Sequence, residues 1–125
     1  MKILVAEEDP LMSKMLEYRL KIDRYEVIVT HDVSEALKKI EKFHPDLVIT
    51  DIMASFTTGL ELVRAVKTRY VTIPIIVLSA PGQANIVMEA FRLGADDYVS
   101  KPFNPDELSL RVKRFVTRMP ATLAC

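Results

Sequence analysis

Lys2-Ile3-Leu4-Val5-Ala6-Glu7-Glu8-Asp9-Pro10 is the stretch on which the reading of this chain turns. Ile3 to Ala6 are apolar at consecutive positions, as in a strand covered on both faces. Glu7, Glu8 and Asp9 follow without a break. Pro10 then suits the first position of a helix capped by Asp9, since the N–H that proline lacks would have had no partner there. Strand, acidic turn and capped helix together predict a βα unit with its polar chemistry just past the carboxyl end of the strand.

The same unit recurs along the chain. Beside the first strand, Lys2 to Ala6, further strands are predicted over Tyr25 to Thr30, Asp46 to Thr50, Ile75 to Ser79 and Asp97 to Ser100. Asp32 with Glu35, Thr58 with Glu61 and Asn104 with Glu107 each set a capping oxygen three residues before a glutamate. Gly94 follows Phe91-Arg92-Leu93, where a left-handed residue commonly closes a helix. Five βα repeats in 125 residues are too few for an eight-fold barrel, which leaves an α/β fold with an open, doubly wound parallel sheet. Ligands of such sheets lie beyond the carboxyl ends of the strands.

Composition narrows the function classes. Half the residues are hydrophobic and 27% are charged, the profile of a single soluble domain. Seventeen Lys plus Arg balance seventeen Asp plus Glu, so no net field draws this chain directly onto nucleic acid or an anionic membrane. No run approaches the roughly 20 apolar residues of a membrane span, and the apolar run Ile3 to Ala6 is too short for the core of a secretory leader, so none is expected. The lone Cys125 gives no force to an intrachain disulfide or a thiolate zinc site. A cytoplasmic location is expected. Residues 1–118 are read as the domain, and 119–125 as a tail or the start of a linker, which would leave room for a C-terminal output domain.

The predicted strand ends carry the chemistry. Strand one runs into Glu7, Glu8 and Asp9, strand three into Asp51, strand four into Ser79, and strand five into Lys101. If strands one and three are neighbours, Asp51 meets Glu7 or Glu8, and like charges that close need a positive group between them. Oxygen ligands suit a hard ion such as Mg²⁺, and Lys101 adds a second positive charge. A metal, a lysine and a hydroxyl around one aspartate form a set that stabilises a transferring phosphoryl group, and aspartate is a known phosphoryl acceptor.

At this point the residues resemble a family. Ile3-Leu4-Val5-Ala6-Glu7-Glu8-Asp9-Pro10, Asp46-Leu47-Val48-Ile49-Thr50-Asp51 with Gly59 eight positions on, Leu78-Ser79-Ala80 and Gly94-Ala95-Asp96-Asp97-Tyr98-Val99-Ser100-Lys101-Pro102-Phe103 resemble the receiver domain of bacterial two-component response regulators. The likeness covers nearly the whole chain, and it is nearest to receivers of the winged-helix transcription-factor class. It implies a flavodoxin-like (βα)5 fold with parallel strand order 2-1-3-4-5. It further implies that Asp51 takes a phosphoryl group from the phosphohistidine of a sensor histidine kinase. Glu8, Asp51 and the backbone carbonyl of Met53 would bind Mg²⁺, with Glu7 acting through water. Lys101 would hold a phosphoryl oxygen, and the Ser79 hydroxyl would turn toward the phosphate. Tyr98 would swing inward in concert, remodelling the surface of the fourth helix, fifth strand and fifth helix. The Lys101–Pro102 peptide would be cis.

The same likeness implies a homodimer through that surface, with Asp97 and Arg111, and Asp96 and Arg118, at the positions of intersubunit ion pairs. Val87 stands where a basic partner for Glu107 is usual. The molecule so read catalyses its own phosphorylation and is a switch more than an enzyme. The alternative is a pseudo-receiver that binds a partner without phosphorylation. A flavodoxin-type cofactor carrier is poorly supported, because acidic residues fill the loop after strand one where a phosphate-cradling loop would lie.

Several residues depart from the family pattern. Glu8 replaces the usual aspartate, and its extra methylene is expected to weaken Mg²⁺ binding. Ala54-Ser55 replaces a Met-Pro pair and Thr58 a common aspartate, so the Met53 carbonyl is expected to be less firmly placed. Met53 and Pro81 occupy positions that tune phosphoryl lifetime, and neither can hydrogen-bond an attacking water, so slow self-dephosphorylation is expected. His31 and His44 are read as surface residues away from the strand ends. Met12, Met15 and Leu16 are read as core packing of the first helix. Arg111, Lys113, Arg114 and Arg118 read as cations favoured toward a helix end.

Overall fold

Parallel strand pairing organises the chain. In the computed structural model, which describes residues 1–52 and 58–117, the elements run β1 (Lys2–Ala6), α1 (Pro10–Ile22), β2 (Glu26–Thr30), α2 (Val33–Phe43), β3 (Leu47–Asp51), α3 (Thr58–Arg69), β4 (Ile75–Ser79), α4 (Ala84–Arg92), β5 (Asp97–Ser100) and α5 (Pro105–Thr117). The five strands form one parallel sheet in the order β2-β1-β3-β4-β5. This is the flavodoxin-like arrangement that the resemblance implied.

Consecutive apolar residues are explained by the two layers that the sheet separates. Ile3, Val5, Leu47, Ile49, Ile76 and Leu78 pack with Leu16 and Leu20 of α1 and with Leu108, Val112 and Phe115 of α5. The alternate residues Leu4, Val48, Ile75 and Val77 pack with Ile40 of α2, Leu62 and Val66 of α3 and Ala90 of α4. Each fully buried side chain of this size contributes about 2 kcal/mol relative to exposure.

β1, β4 and β5 span the predicted residues. β2 begins one residue late, because the Tyr25 N–H is taken by the Leu20 carbonyl at 3.1 Å in the preceding turn. β3 is displaced one residue onward at both ends, so Asp51 is its last member. Asp46 instead uses its side chain, accepting from the Lys2 N–H at 2.8 Å.

The caps at Asp9, Asp32 and Asn104 form as predicted. Their oxygens accept from Leu11 N–H at 2.9 Å, Glu35 N–H at 2.7 Å and Asp106 N–H at 2.8 Å. Glu35 does not return a bond to its own cap; its carboxylate accepts from the His31 N–H at 2.9 Å. Thr58 opens α3, and its side chain lies outside the described part. Gly94 ends α4 at φ 115°, a backbone conformation that suits glycine. Met15 corrects one expectation: it is 45% exposed, on an outward stripe of α1 with Leu11, Tyr18 and Ile22, while Leu16 is fully buried.

Candidate functional site

Four adjoining strand ends build the site. Asp51 pairs in register with Leu78, and Ser79 pairs with Ser100, so the last residues of β3, β4 and β5 stand beside one another. β1 lies on the other side of β3 and delivers Glu7, whose N–H continues the ladder to the Thr30 carbonyl at 3.0 Å. The site residues are thus placed by sheet register.

Glu7 is only 2% exposed and Asp51 8%, yet both are carboxylates. One ammonium serves them: Lys101 Nζ lies 2.8 Å from Glu7 Oε1 and 3.2 Å from Asp51 Oδ2. The contact with Glu7 Oε1 is close but lacks hydrogen-bond alignment, so that buried oxygen has a charge beside it and no directed donor. Its other oxygen accepts from the Asp9 N–H at 3.1 Å. Burial raises the Glu7 pKa above its ordinary value, and Lys101 only partly opposes this. Burial alone would lower the Lys101 pKa, but the negative charges of Glu7 and Asp51 in contact with it outweigh this and hold the ammonium charged more firmly than in water.

Glu8 is exposed and lines the same open cleft, of about 310 Å³, with Glu7, Asp9, Asp51 and Lys101. Ser79 is buried at the end of β4, its carbonyl accepting from the Lys101 N–H at 2.7 Å. The Lys101–Pro102 peptide is cis. Tyr98 is 42% exposed and stands edge-on to Phe91 with ring centroids 6.1 Å apart. Between Tyr98 and Ser79 runs an open groove of about 420 Å³, lined also by Val87, Met88 and Phe91. Met53 and Arg118 lie outside the described residues, as do Ala54, Ser55 and the 119–125 tail.

Two acids offered as intersubunit partners have their oxygens engaged within the chain. Asp97 binds Arg111 at 2.8 and 3.0 Å, with Arg114 at 3.5 Å. Asp96 binds Lys67 at 2.9 Å and accepts from the Ile75 N–H at 2.8 Å. Glu107 pairs with Arg111 at 3.3 Å.

His31 corrects another expectation. It directly follows β2, so it does stand at a strand end, and although exposed its Nδ1–H donates to the Glu7 carbonyl at 2.9 Å. It thereby helps fix the backbone of a site residue. The signal was its place immediately after Thr30.

Oxygen-only donors around a lysine are compatible with a hard divalent ion. Four carboxylates, Glu7, Glu8, Asp9 and Asp51, against one ammonium among the described lining residues leave the cleft short of positive charge, and Glu7 Oε1 is a buried oxygen without a directed donor. Among the described residues no three acid or histidine side chains are arranged to hold a metal by themselves. Mg²⁺ does not require that, since it keeps several waters and is bound through one or two carboxylates.

Known proteins resemble the chain in sequence and fold. The chain is 37% identical over 117 residues to the alkaline phosphatase synthesis transcriptional regulatory protein PhoP of Bacillus subtilis, covering 94% of this chain and 49% of that protein. It is 38% identical over 118 residues to the probable transcriptional regulator ycf27 of Galdieria sulphuraria, covering 94% of this chain and 46% of that one. It therefore spans about half the length of these curated relatives. A putative response regulator from Chloroflexus aurantiacus superposes with a TM-score of 0.87 at 35% identity, covering 94% of this chain and 98% of that one. The receiver domain of NtrX from Brucella abortus gives 0.88 at 28% identity, with 94% and 99% covered. The family model for the response regulator receiver domain matches residues 3–113, and with the acid, lysine and hydroxyl at adjoining strand ends the chain belongs to that family.

Proposed function

We propose that Asp51 accepts a phosphoryl group, with Mg²⁺ in the site, from the phosphohistidine of a sensor histidine kinase, and that this switches the face made by α4, β5 and α5. The observation that carries the reading is the single Lys101 ammonium shared by Glu7 and Asp51, with Asp51 opening on the cleft.

In the transfer a carboxylate oxygen of Asp51 attacks phosphorus. The phosphorus–nitrogen bond to the donor imidazole breaks, and the imidazole leaves with the electron pair. Lys101 neutralises charge on the phosphoryl oxygens as they reach Asp51, a contribution made by position and not by proton transfer. Ser79 supplies a hydroxyl donor from the neighbouring strand. Glu7, Glu8 and Asp51 would hold Mg²⁺, with the Met53 carbonyl that the family likeness adds. When bound, the ion offsets negative charge on the phosphoryl group.

Receivers of this family work with sensor histidine kinases. The tail after α5 is read as leading to an output domain, in keeping with relatives about twice as long. A weak dimer through α4, β5 and α5 would have to draw Asp97 and Arg111 from their partners within the chain, so it belongs to the activated state. No observation favours the pseudo-receiver alternative.

Addition of Mg²⁺ and beryllofluoride, a phosphoryl mimic, tests the reading. A Mg²⁺-dependent change in tyrosine signal that is lost in Asp51→Ala is expected. No response at any metal concentration overturns it.

A further inference from the structure

One peptide group beside the site is held from both sides. The Ser79 carbonyl accepts from the Lys101 N–H at 2.7 Å, and the N–H of the same peptide, on Ala80, donates to the side-chain Oε1 of Gln83 at 2.6 Å. A trans peptide is planar with its carbonyl and N–H opposed, so two such bonds fix its plane. The ladder between β3 and β4 still operates one step earlier, where the Ile52 N–H donates to the Leu78 carbonyl at 2.9 Å. At Ala80 the N–H has gone to Gln83.

Gln83 is bound at its other end too. Its backbone carbonyl accepts from the Val87 N–H at 2.9 Å in the first turn of α4. One residue thus straps the end of β4, next to Asp51, to the start of the helix that forms the switching face.

The geometry points to Gln83 as a latch. Its amide oxygen occupies the Ala80 N–H in the unphosphorylated chain and competes for it with the oxygens of a phosphoryl group on Asp51. This regulation rests on the reading of Asp51 given above. A phosphoryl oxygen is charged and accepts more strongly than a neutral amide. The bond to Gln83 lies at the exposed surface, so it exchanges readily. Once the N–H turns to the phosphoryl group, the strap is released and the first turn of α4 is free to move with Ser79 and Tyr98. Gln83 is a positioning residue here, and it never touches the reacting atoms.

Beryllofluoride titration in Mg²⁺, followed by the backbone amide signals of Ala80 and α4, tests this. Gln83→Ala removes the competitor and is expected to bind the mimic about 3- to 10-fold more tightly, the range that one neutral hydrogen bond supplies. A role confined to structural support would weaken binding instead. Gln83→Glu, with a charged acceptor that also repels the anion, is expected to bind more weakly than wild type. A normal wild-type response with Gln83→Ala unchanged or weaker overturns the latch alone. A wild type with no response at all overturns the Asp51 reading and the latch with it.

Discussion

The two ends of β5 treat acidic side chains in opposite ways. At its start Asp96 has Lys67 and a backbone N–H, and Asp97 has two contacts from Arg111 and a third from Arg114. Every acid there has at least one cation of its own. At its far end one Lys101 answers two buried carboxylates, and Glu8 stands in the same cleft with them. The difference teaches how to tell structure from function. A satisfied cluster pins loops in place, whereas a cluster short of positive charge changes state when a cation or an anion with its cation arrives.

Removing the shared Lys101 ammonium is expected to have the largest effect. Lys101→Met leaves Glu7 and Asp51 facing each other, and should cost about 3 to 5 kcal/mol of stability in urea unfolding. Phosphoryl acceptance should fall about 100-fold or more in the same variant, because a positioned charge at the reacting group is lost. Comparable losses from Lys67→Met would erase the contrast between the two ends.

Adding a cation comes next. Mg²⁺ at about 100 times its dissociation constant should raise stability by roughly 2.7 kcal/mol, read as a shift in thermal midpoint that Asp51→Ala diminishes. Glu8→Asp is expected to reach the same shift at lower Mg²⁺; an unchanged midpoint curve would remove the special role given to the longer side chain.

At the satisfied end the effect should be smaller. Arg111→Ala leaves Asp97 with Arg114 and the Tyr98 N–H, so about 1 kcal/mol is expected with phosphoryl acceptance intact.

The smallest effect concerns pH. Burial raises the Glu7 pKa, so the folded protein holds that proton more firmly than the unfolded chain. The stability Glu7 contributes is therefore present below its ordinary value of 4.5 and is lost as pH rises through the raised one. Glu7→Gln should flatten that part of the metal-free stability curve; an unaltered slope would place the charge strain elsewhere.

Much of this was legible in the residues. The apolar runs end where a charge or hydroxyl begins, so β1, β4 and β5 were read to the residue, and Asp51, Ser79 and Lys101 fell at adjoining strand ends. The rest depended on contacts between distant positions. Asp46 lost its place in β3 because it caps the Lys2 N–H, and Lys67 finds Asp96 across two loops. The contact of Glu7 with Lys101 joins the ends of β1 and β5, which no local pattern announces. Met15 followed a helical spacing that serves two faces of α1, and only packing against α5 and the sheet chose Leu16 for the core. Gln83 carries no pattern in sequence, since its partner is a backbone N–H.

The most direct measurement is the intact mass of the chain after incubation with a phosphorylated histidine kinase, with and without Mg²⁺. A single phosphoryl adduct is expected with Mg²⁺ in the wild type, and none in Asp51→Asn or without the metal. An adduct that persists in Asp51→Asn, or a wild type that stays unmodified under all conditions, would contradict the account.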